Sequence, residues 1–188
     1  MSKMRSDTPA IEIREKDLQK NSSALERLLE LIPAGNVLNA IDLRYGLGGW
    51  AEKVTKRFPD VTYKGYEKDR QTFRRALLSK PNQVRLFRRD SQLVSGQTDL
   101  LLIDFNNLTV LKREPLDDIL SKIKTQYLVF TDVASSKIHL NFRSYGLNPD
   151  FSMVDYWEQF KISGFGLIGF VRDHHHASSA LYKKTLQI

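Results

Sequence analysis

The sequence predicts an α/β fold with a mostly parallel sheet, and three features support this prediction. Short apolar runs of strand length alternate with segments in which apolar residues recur at helical spacing. The run from Asp99 to Phe105 is continuously apolar between its acids, as expected of a strand that is buried on both faces. The last two apolar runs are separated by a loop without a helical pattern, which is typical of an antiparallel hairpin.

The predicted elements follow one another without an internal repeat or a low-complexity linker. Residues 1–16 are polar and charged and are expected to form a flexible lead, so the predicted single domain covers residues 17–188. Helical spacing of apolar residues predicts helices over residues 17–32, 50–58, 70–78, 115–123 and 151–160. Strand patterns are found at residues 37–43, 61–66, 84–87, 99–105, 127–133, 164–171 and 180–186.

Several residues mark the ends of these helices. Ser22 or Ser23 offers an alternative start for a separate helix within the first predicted segment, and Pro33 ends that segment. Asp69 is of a residue type that caps helix N-termini, and it directly precedes the helix predicted from Arg70. These signals set the predicted boundaries.

The composition suits one globular domain with a substantial core, since 41% of the 188 residues are hydrophobic and 27% are charged. The formal net charge of +7 favours a polyanionic partner such as nucleic acid, although a basic balance also serves solubility. The chain has no cysteine, which excludes disulfides, thiolate metal sites and a cysteine nucleophile. No apolar run is long enough to span a bilayer and the N-terminus has no apolar signal core, so a cytoplasmic protein without a membrane partner is expected.

The stretch VLNAIDLRYGLGGW, at residues 37–50, organises the predicted site. Its apolar strand ends at Asp42, a turn containing Gly46 and Gly48 follows, and the next helix is predicted to begin at Trp50. Glycines allow close approach of a ligand to the backbone, and a helix N-terminus offers N–H groups to an anionic group. A nucleotide-like ligand is therefore expected at this turn.

Acidic residues lie at or just after the ends of five predicted strands: Asp42, Glu67, Asp90, Asp104 and Asp132. Because right-handed crossovers bring the carboxyl ends of parallel strands to one edge of the sheet, these acids are expected to share that edge. Ligands of open α/β sheets bind at this edge. The acids therefore belong to the same predicted site as the glycine turn.

The turn Asp42-Leu-Arg44-Tyr-Gly46-Leu-Gly48 resembles the D-x-G-x-G-x-G motif of class I S-adenosylmethionine-dependent methyltransferases. Its extension through Gly49-Trp50 is similar to the D-L-G-x-G-x-G-G-W-S of viral cap and ribosomal-RNA ribose methyltransferases. The resemblance implies a Rossmann-like, mostly parallel seven-stranded sheet with helices on both faces and a C-terminal antiparallel hairpin. It also implies S-adenosylmethionine as cofactor, with the ribose at Glu67 and the adenine near Asp90. The implied cofactor-binding residues are Asp42, Arg44, Gly46, Gly48, Trp50, Glu67 and Asp90.

Some of these residues allow more than one interpretation. Arg44 stands where the family has its first glycine; its guanidinium would repel a sulfonium, so it either reaches the ligand's carboxylate or points to solvent. Asp42 either orders the turn or meets the ligand's amine, and Trp50 is either a substrate platform or part of the core. The motif Gly46-x-Gly48-x-x-Ala51 also satisfies a dinucleotide fingerprint, but the short chain and the hairpin favour the methyltransferase.

The resemblance also implies candidates for the chemistry. The segment after Asp104 lacks the prolines of the D/N-P-P-Y/F motif of amino-directed methyltransferases. Ribose 2′-O-methyltransferases use a Lys-Asp-Lys-Glu set, of which Asp104 matches the Asp and Lys137 loosely matches the second Lys. The first Lys cannot be aligned, and the Glu is absent from its expected place. Asp104, Lys137 and His139 are thus the predicted catalytic residues.

The polar segment after the fifth predicted strand carries the predicted substrate-binding residues Asn141, Arg143 and Tyr145. No metal site is expected from the three histidines at residues 174–176, because neighbouring residues of a strand point to opposite faces. The basic residues at 68–75 and 85–89 form either a phosphate track or a solvated face.

The leading hypothesis is a methyltransferase that acts on nucleic acid, RNA rather than DNA, with a ribose oxygen as preferred acceptor. One alternative is a methyltransferase of a small molecule or a protein. Another is a catalytically inactive Rossmann-like binding subunit, suggested by Arg44 and the incomplete catalytic set. The sequence does not fix the oligomeric state, and a monomer is compatible with it.

Overall fold

The computed structural model describes residues 11–14, 24–89, 93–104, 116–131, 164–172 and 177–185. The elements, in chain order, are β1 Ile11–Arg14, α1 Ala24–Glu30, β2 Asn39–Asp42, α2 Gly49–Arg57, β3 Thr62–Tyr66, α3 Arg70–Ser79, β4 Val84–Phe87, β5 Gly96–Asp104, α4 Leu116–Lys122, β6 Ile123–Thr131, β7 Phe165–Arg172 and β8 Ala177–Lys184. The helix predicted at residues 151–160 lies outside the described residues.

The described strands form one sheet in the order β1-β7-β8-β6-β5-β2-β3-β4. Strands β2 to β6 are parallel to their neighbours within this group, whereas β8 is antiparallel to both β6 and β7. The predicted α/β class, the mostly parallel sheet and the C-terminal hairpin are confirmed. The sheet has eight described strands, however, and not the seven predicted.

The additional strand is β1, which lies within the residues predicted to be a flexible lead. It pairs in parallel with β7, with Ile11 opposite Gly169 and Arg14 opposite Arg172. A side chain at Gly169 would lie 3.1 Å from the Ile11 carbonyl oxygen and 2.5 Å from Leu31 Cδ1. The absence of that side chain therefore allows β1 to reach the sheet, and the boundary of the lead at residue 16 is wrong for residues 11–14.

Two central strands begin earlier than predicted. β5 begins at Gly96 and β6 begins at Ile123, and these two residues are paired with each other. The first residues of both strands include polar side chains, so a search for apolar runs does not assign them to strands. The buried Thr98 and Thr125 remain compatible with a strand because their hydroxyl groups donate to carbonyl oxygens of Asn39 and Tyr127 at 2.9 and 2.8 Å.

Apolar side chains form a core on each side of the sheet, as predicted for helices on both faces. One cluster includes Leu28 of α1, Val54 of α2 and Ala76 of α3, and we call its side the α1–α3 face. The other includes Ile119 of α4, and we call its side the α4 face. Within the described residues, no helix combines the length and apolar character that a bilayer crossing requires.

The order in which the chain adds strands to the sheet changes direction at β2. From β2 the chain moves outward through β3 to the edge strand β4, and then returns to β5 on the other side of β2. In the register, Asp42 at the end of β2 lies between Gly65 of β3 and Leu102 of β5. Such a reversal opens a crevice at the carboxyl ends of the strands, and the glycine turn begins there.

Candidate functional site

Asp42 is fully buried and orders the start of the glycine turn. Its Oδ1 accepts a hydrogen bond from the backbone N–H of Arg44 at 2.9 Å, and its Oδ2 accepts one from the Tyr63 hydroxyl at 2.7 Å. Of the two roles considered from the sequence, the geometry favours ordering of the turn, because a buried carboxylate has no open path to a ligand's amine. The side chain of Arg44 itself is exposed.

Glu67 joins the end of β3 to the glycine turn. Its Oε2 accepts a hydrogen bond from the backbone N–H of Gly46 at 3.1 Å, and its Oε1 accepts one from that of Asp69 at 2.8 Å. The side chain is buried, with 7% of its surface exposed. A carboxylate has about four acceptor positions, so this one can hold the turn and still accept from a ligand hydroxyl.

Tyr45 fills the space beneath the turn, a role that sequence reasoning did not find. Its ring is buried between Gly48 and Gly65, and its backbone N–H donates to the Tyr66 carbonyl at 2.9 Å. A Cβ at Gly48 would lie 2.6 Å from the Tyr45 hydroxyl oxygen, and a Cβ at Gly65 would lie 2.8 Å from its Cγ. The available signal was the presence of a glycine, Gly65, inside a predicted strand.

The hydroxyl group of Tyr45 is buried and has no hydrogen-bond partner among the described residues. Most buried hydroxyl groups are paired, so an unpaired one beside a glycine turn suggests a group that completes the site. The backbone of Gly48 lies against this hydroxyl group, whereas nothing lies within 4 Å of a Cβ built on Gly46 or Gly49.

The N-terminus of α2 is the second polar feature of the turn. Its cap residue, Gly48, has a φ of 90° and no side-chain hydrogen bond, and Gly46 also has a positive φ of 56°. The first N–H groups of the helix therefore face the crevice without a side-chain cap, which suits an anionic group.

Trp50 is half-buried and packs against the core of the α1–α3 face, which favours the core interpretation of this residue.

The tyrosines around Asp42 have altered acidities. Burial, together with the negative charge of Asp42 and the hydrogen bond to it, raises the pKa of Tyr63 well above its usual value of 10. Burial and the same charge raise the pKa of Tyr45 to about 12. Both phenols are therefore neutral at physiological pH, and Tyr63 acts as a donor that compensates the buried carboxylate.

We expect Tyr63→Phe to lower the free energy of unfolding by about 1.5–3 kcal/mol, because Asp42 loses a charge-assisted hydrogen bond. The wild-type protein should also lose stability as the pH rises above about 10, since the unfolded chain then releases tyrosine protons that the folded chain retains. In the variant this decline should be shallower by about 1.4 kcal/mol per pH unit. Urea denaturation between pH 8 and pH 11 measures both effects, and identical slopes would contradict the raised pKa of Tyr63.

Of the remaining predicted site residues, the structure describes only the backbone of Asp104. The backbone of Asp104 lies at the end of β5, opposite Thr131 of β6, and thus at the same edge as Asp42 and Glu67. The remaining predicted residues and the three histidines lie outside the described part of the chain: Asp90, Lys137, His139, Asn141, Arg143, Tyr145 and residues 174–176. Their roles stay predictions.

A second concave region lies at the opposite edge of the sheet. It is a groove of about 730 Å³ between the amino-terminal ends of β5 and β6 and the end of β8, lined by residues that include Gln97, Asp99, Lys124 and Lys184. Ligands of parallel α/β sheets bind at the carboxyl edge, so its position argues against a cofactor site. It provides a rival location that experiments can distinguish.

The strand order, the reversal at β2 and the glycine turn define the Rossmann-like fold of class I S-adenosylmethionine-dependent methyltransferases. No family model and no curated protein sequence matches the chain. Among solved structures, a protein of Escherichia coli assigned as the methyltransferase yhhF has a TM-score of 0.60 and 12% identity, with 90% of each chain covered.

Two other solved structures have different acceptors in their names. A protein of Clostridium thermocellum assigned as an rRNA methylase has a TM-score of 0.61 and 7% identity, covering 90% of this chain and all of the other. The plantazolicin methyltransferase BpumL, in complex with SAH, has a TM-score of 0.54 and 14% identity, covering 86% of this chain and 82% of the other. At these identities the similarity establishes the fold.

Proposed function

We propose that the protein is an S-adenosylmethionine-dependent methyltransferase whose cofactor binds at the glycine turn between β2 and α2. The observation that carries the proposal is the hydrogen bond from Gly46 to Glu67, which fixes the turn against the end of β3 at the strand reversal. The same crevice binds nucleotide-like ligands in other α/β proteins.

The residues of the turn fit the chemical groups of this cofactor. The free acceptor positions of Glu67 suit the ribose hydroxyls, and the N-terminus of α2 suits the methionine carboxylate. The exposed Arg44 can approach the same carboxylate. When bound, the cofactor supplies a methyl group activated by its sulfonium, and the protein contributes proximity and orientation.

The proposed acceptor is nucleic acid, RNA rather than DNA, with a ribose oxygen preferred. Support comes from the net charge of +7 and from the similarity of the Gly48-Gly49-Trp50 sequence to that of RNA ribose methyltransferases. Asp104, Lys137 and His139 are proposed to handle the acceptor and its proton, and Asn141, Arg143 and Tyr145 to bind the substrate. Asp90 is proposed to lie near the adenine.

A second candidate keeps the enzyme and changes the acceptor to a small molecule or a protein. Its specific support is that the fold neighbours include the plantazolicin methyltransferase BpumL as well as a protein assigned as an rRNA methylase. The cofactor site would be the same in both cases.

Incubation of the protein with S-adenosylmethionine carrying a labelled methyl group, together with RNA, DNA and protein fractions of an extract, tests this function. We expect the label in RNA, and nuclease P1 digestion followed by mass spectrometry should place it on ribose. Label in protein or small molecules would favour the second candidate. Binding of the cofactor without transfer to any fraction would favour an inactive binding subunit.

A further inference from the structure

The net positive charge of the chain is concentrated in one segment. Residues 68–89 contain eight Lys and Arg residues and a single acid, Asp69, so their formal charge of +7 equals that of the whole chain. The carboxylate of Asp69 accepts a hydrogen bond from the Thr72 N–H at 2.7 Å and caps α3. The remaining residues have no net charge, so this segment accounts for the net excess that attracts a polyanion.

The segment includes β4, which is the edge strand of the sheet. Val84 and Leu86 pack into the core of the α1–α3 face, so the alternating residues Arg85 and Phe87 point to the α4 face. On the neighbouring β3, Tyr63 packs into the same core as Val84, whereas Tyr66 packs on the α4 face.

The strand register brings cationic and aromatic side chains together on this side. Lys64 lies opposite Arg85, and Tyr66 lies opposite Phe87. The rings of Tyr66 and Phe87 are stacked, with centroids 5.3 Å apart and an interplanar angle of 20°, yet 41% of Phe87 remains exposed. We call this surface the basic aromatic face; it consists of Lys64, Tyr66, Arg85 and Phe87, together with the exposed Arg88 and Arg89 that follow directly in the chain.

Further cations border the aromatic pair. Arg85, Arg88 and Arg89 are all exposed. Burial raises the pKa of Tyr66, and the positive charge of Arg89 opposes this effect. A charged residue such as Arg85 protects an edge strand from pairing with another sheet, but that purpose does not require an exposed aromatic ring beside it.

The basic aromatic face is directly connected to the glycine turn. The Glu67 N–H donates to the Phe87 carbonyl at 3.0 Å, and the Tyr45 N–H donates to the Tyr66 carbonyl at 2.9 Å. A chain bound across this face would therefore reach the crevice in which the cofactor is proposed to lie.

We propose that the basic aromatic face binds single-stranded RNA, with bases stacked on the Phe87–Tyr66 pair and phosphates held by Arg85, Arg88 and Arg89. An exposed ring bordered by cations is the feature that single-stranded nucleic acids need, whereas a duplex uses the charges alone. This inference rests on the proposed function for the choice of RNA and assigns the surface that recognises it.

Fluorescence anisotropy with a fluorescein-labelled 20-nucleotide single-stranded RNA tests the proposal. Arg85→Glu/Arg88→Glu and, separately, Phe87→Ala should each weaken binding about tenfold or more, with Phe87→Leu as a variant that retains bulk. For Arg85→Glu/Arg88→Glu, the slope of the logarithm of the binding constant against the logarithm of the salt concentration should also become shallower by about 1.4. Circular dichroism checks that each variant is folded.

The matched control is Lys124→Glu/Lys184→Glu, which changes the net charge by the same amount at two exposed lysines of the opposite edge. An equal loss in this control, or full binding by Phe87→Ala, would overturn the proposal. Tighter binding to phosphatidylserine vesicles than to RNA would also overturn it. Calorimetry with S-adenosylmethionine is run on the same samples, so failure of the cofactor to bind refutes the proposed function separately.

Discussion

Replacing Glu67 with alanine is expected to abolish measurable binding of S-adenosylmethionine and to destabilise the fold. The side chain accepts hydrogen bonds from the N–H groups of Gly46 and Asp69, so its loss releases the glycine turn from the end of β3. Loss of two charge-assisted bonds should lower the free energy of unfolding by about 2–4 kcal/mol. Isothermal titration calorimetry and urea denaturation measure the two effects.

Two further variants separate the role of the carboxylate from its charge. Glu67→Gln keeps one carbonyl acceptor and should fall between the wild type and the alanine variant in both measurements. Asp60→Ala removes an equal charge at an exposed site before β3 and should leave cofactor binding unchanged. Wild-type affinity in Glu67→Ala would mean that this carboxylate holds neither the turn nor the ribose.

Gly65→Ala is expected to have the second large effect, because the added methyl group would overlap the buried ring of Tyr45. Overpacking of this kind costs about 1–3 kcal/mol. The melting temperature should fall by about 3–10 °C. Displacement of Tyr45 also moves the turn, so affinity for the cofactor should fall with stability, as calorimetry on the same variant would record.

The matched control for this change is Gly49→Ala, where an added Cβ meets nothing within 4 Å. It should leave stability within about 0.5 kcal/mol of the wild type. In the double variant Tyr45→Leu/Gly65→Ala the two effects should be less than additive, since the smaller side chain relieves the overlap. Strict additivity would indicate that Gly65 is required for a reason other than the Tyr45 ring.

The parts of the fold that the sequence predicted are those with local signals. Asp69 caps α3 as its residue type and position indicated, and its Oδ1 accepts from the Thr72 N–H. β1 was missed because its four residues are stabilised by pairing with β7, far along the chain, and by the room that Gly169 leaves. Neither condition can be read from residues 11–14 themselves.

The candidate site shows the same division. The motif correctly indicated a glycine turn after β2, and in the structure Gly46 and Gly48 of this turn have positive φ values. The sequence analysis explained the glycines of the turn by the approach of a ligand. In the structure, Gly48 and Gly65 also leave room for the ring of Tyr45. That contact joins two distant segments through strand pairing, so the pattern within either segment could not predict it.

The most direct test of a cofactor site at the glycine turn is a titration of ¹⁵N-labelled protein with S-adenosylmethionine, followed by amide NMR shifts. We predict that the largest shifts occur at Gly46, Gly48 and Gly49 of the turn and at Glu67 at the end of β3. Shifts at Gln97 and Lys124 in the groove at the opposite edge, with an unchanged turn, would contradict the account, and so would the absence of any shift.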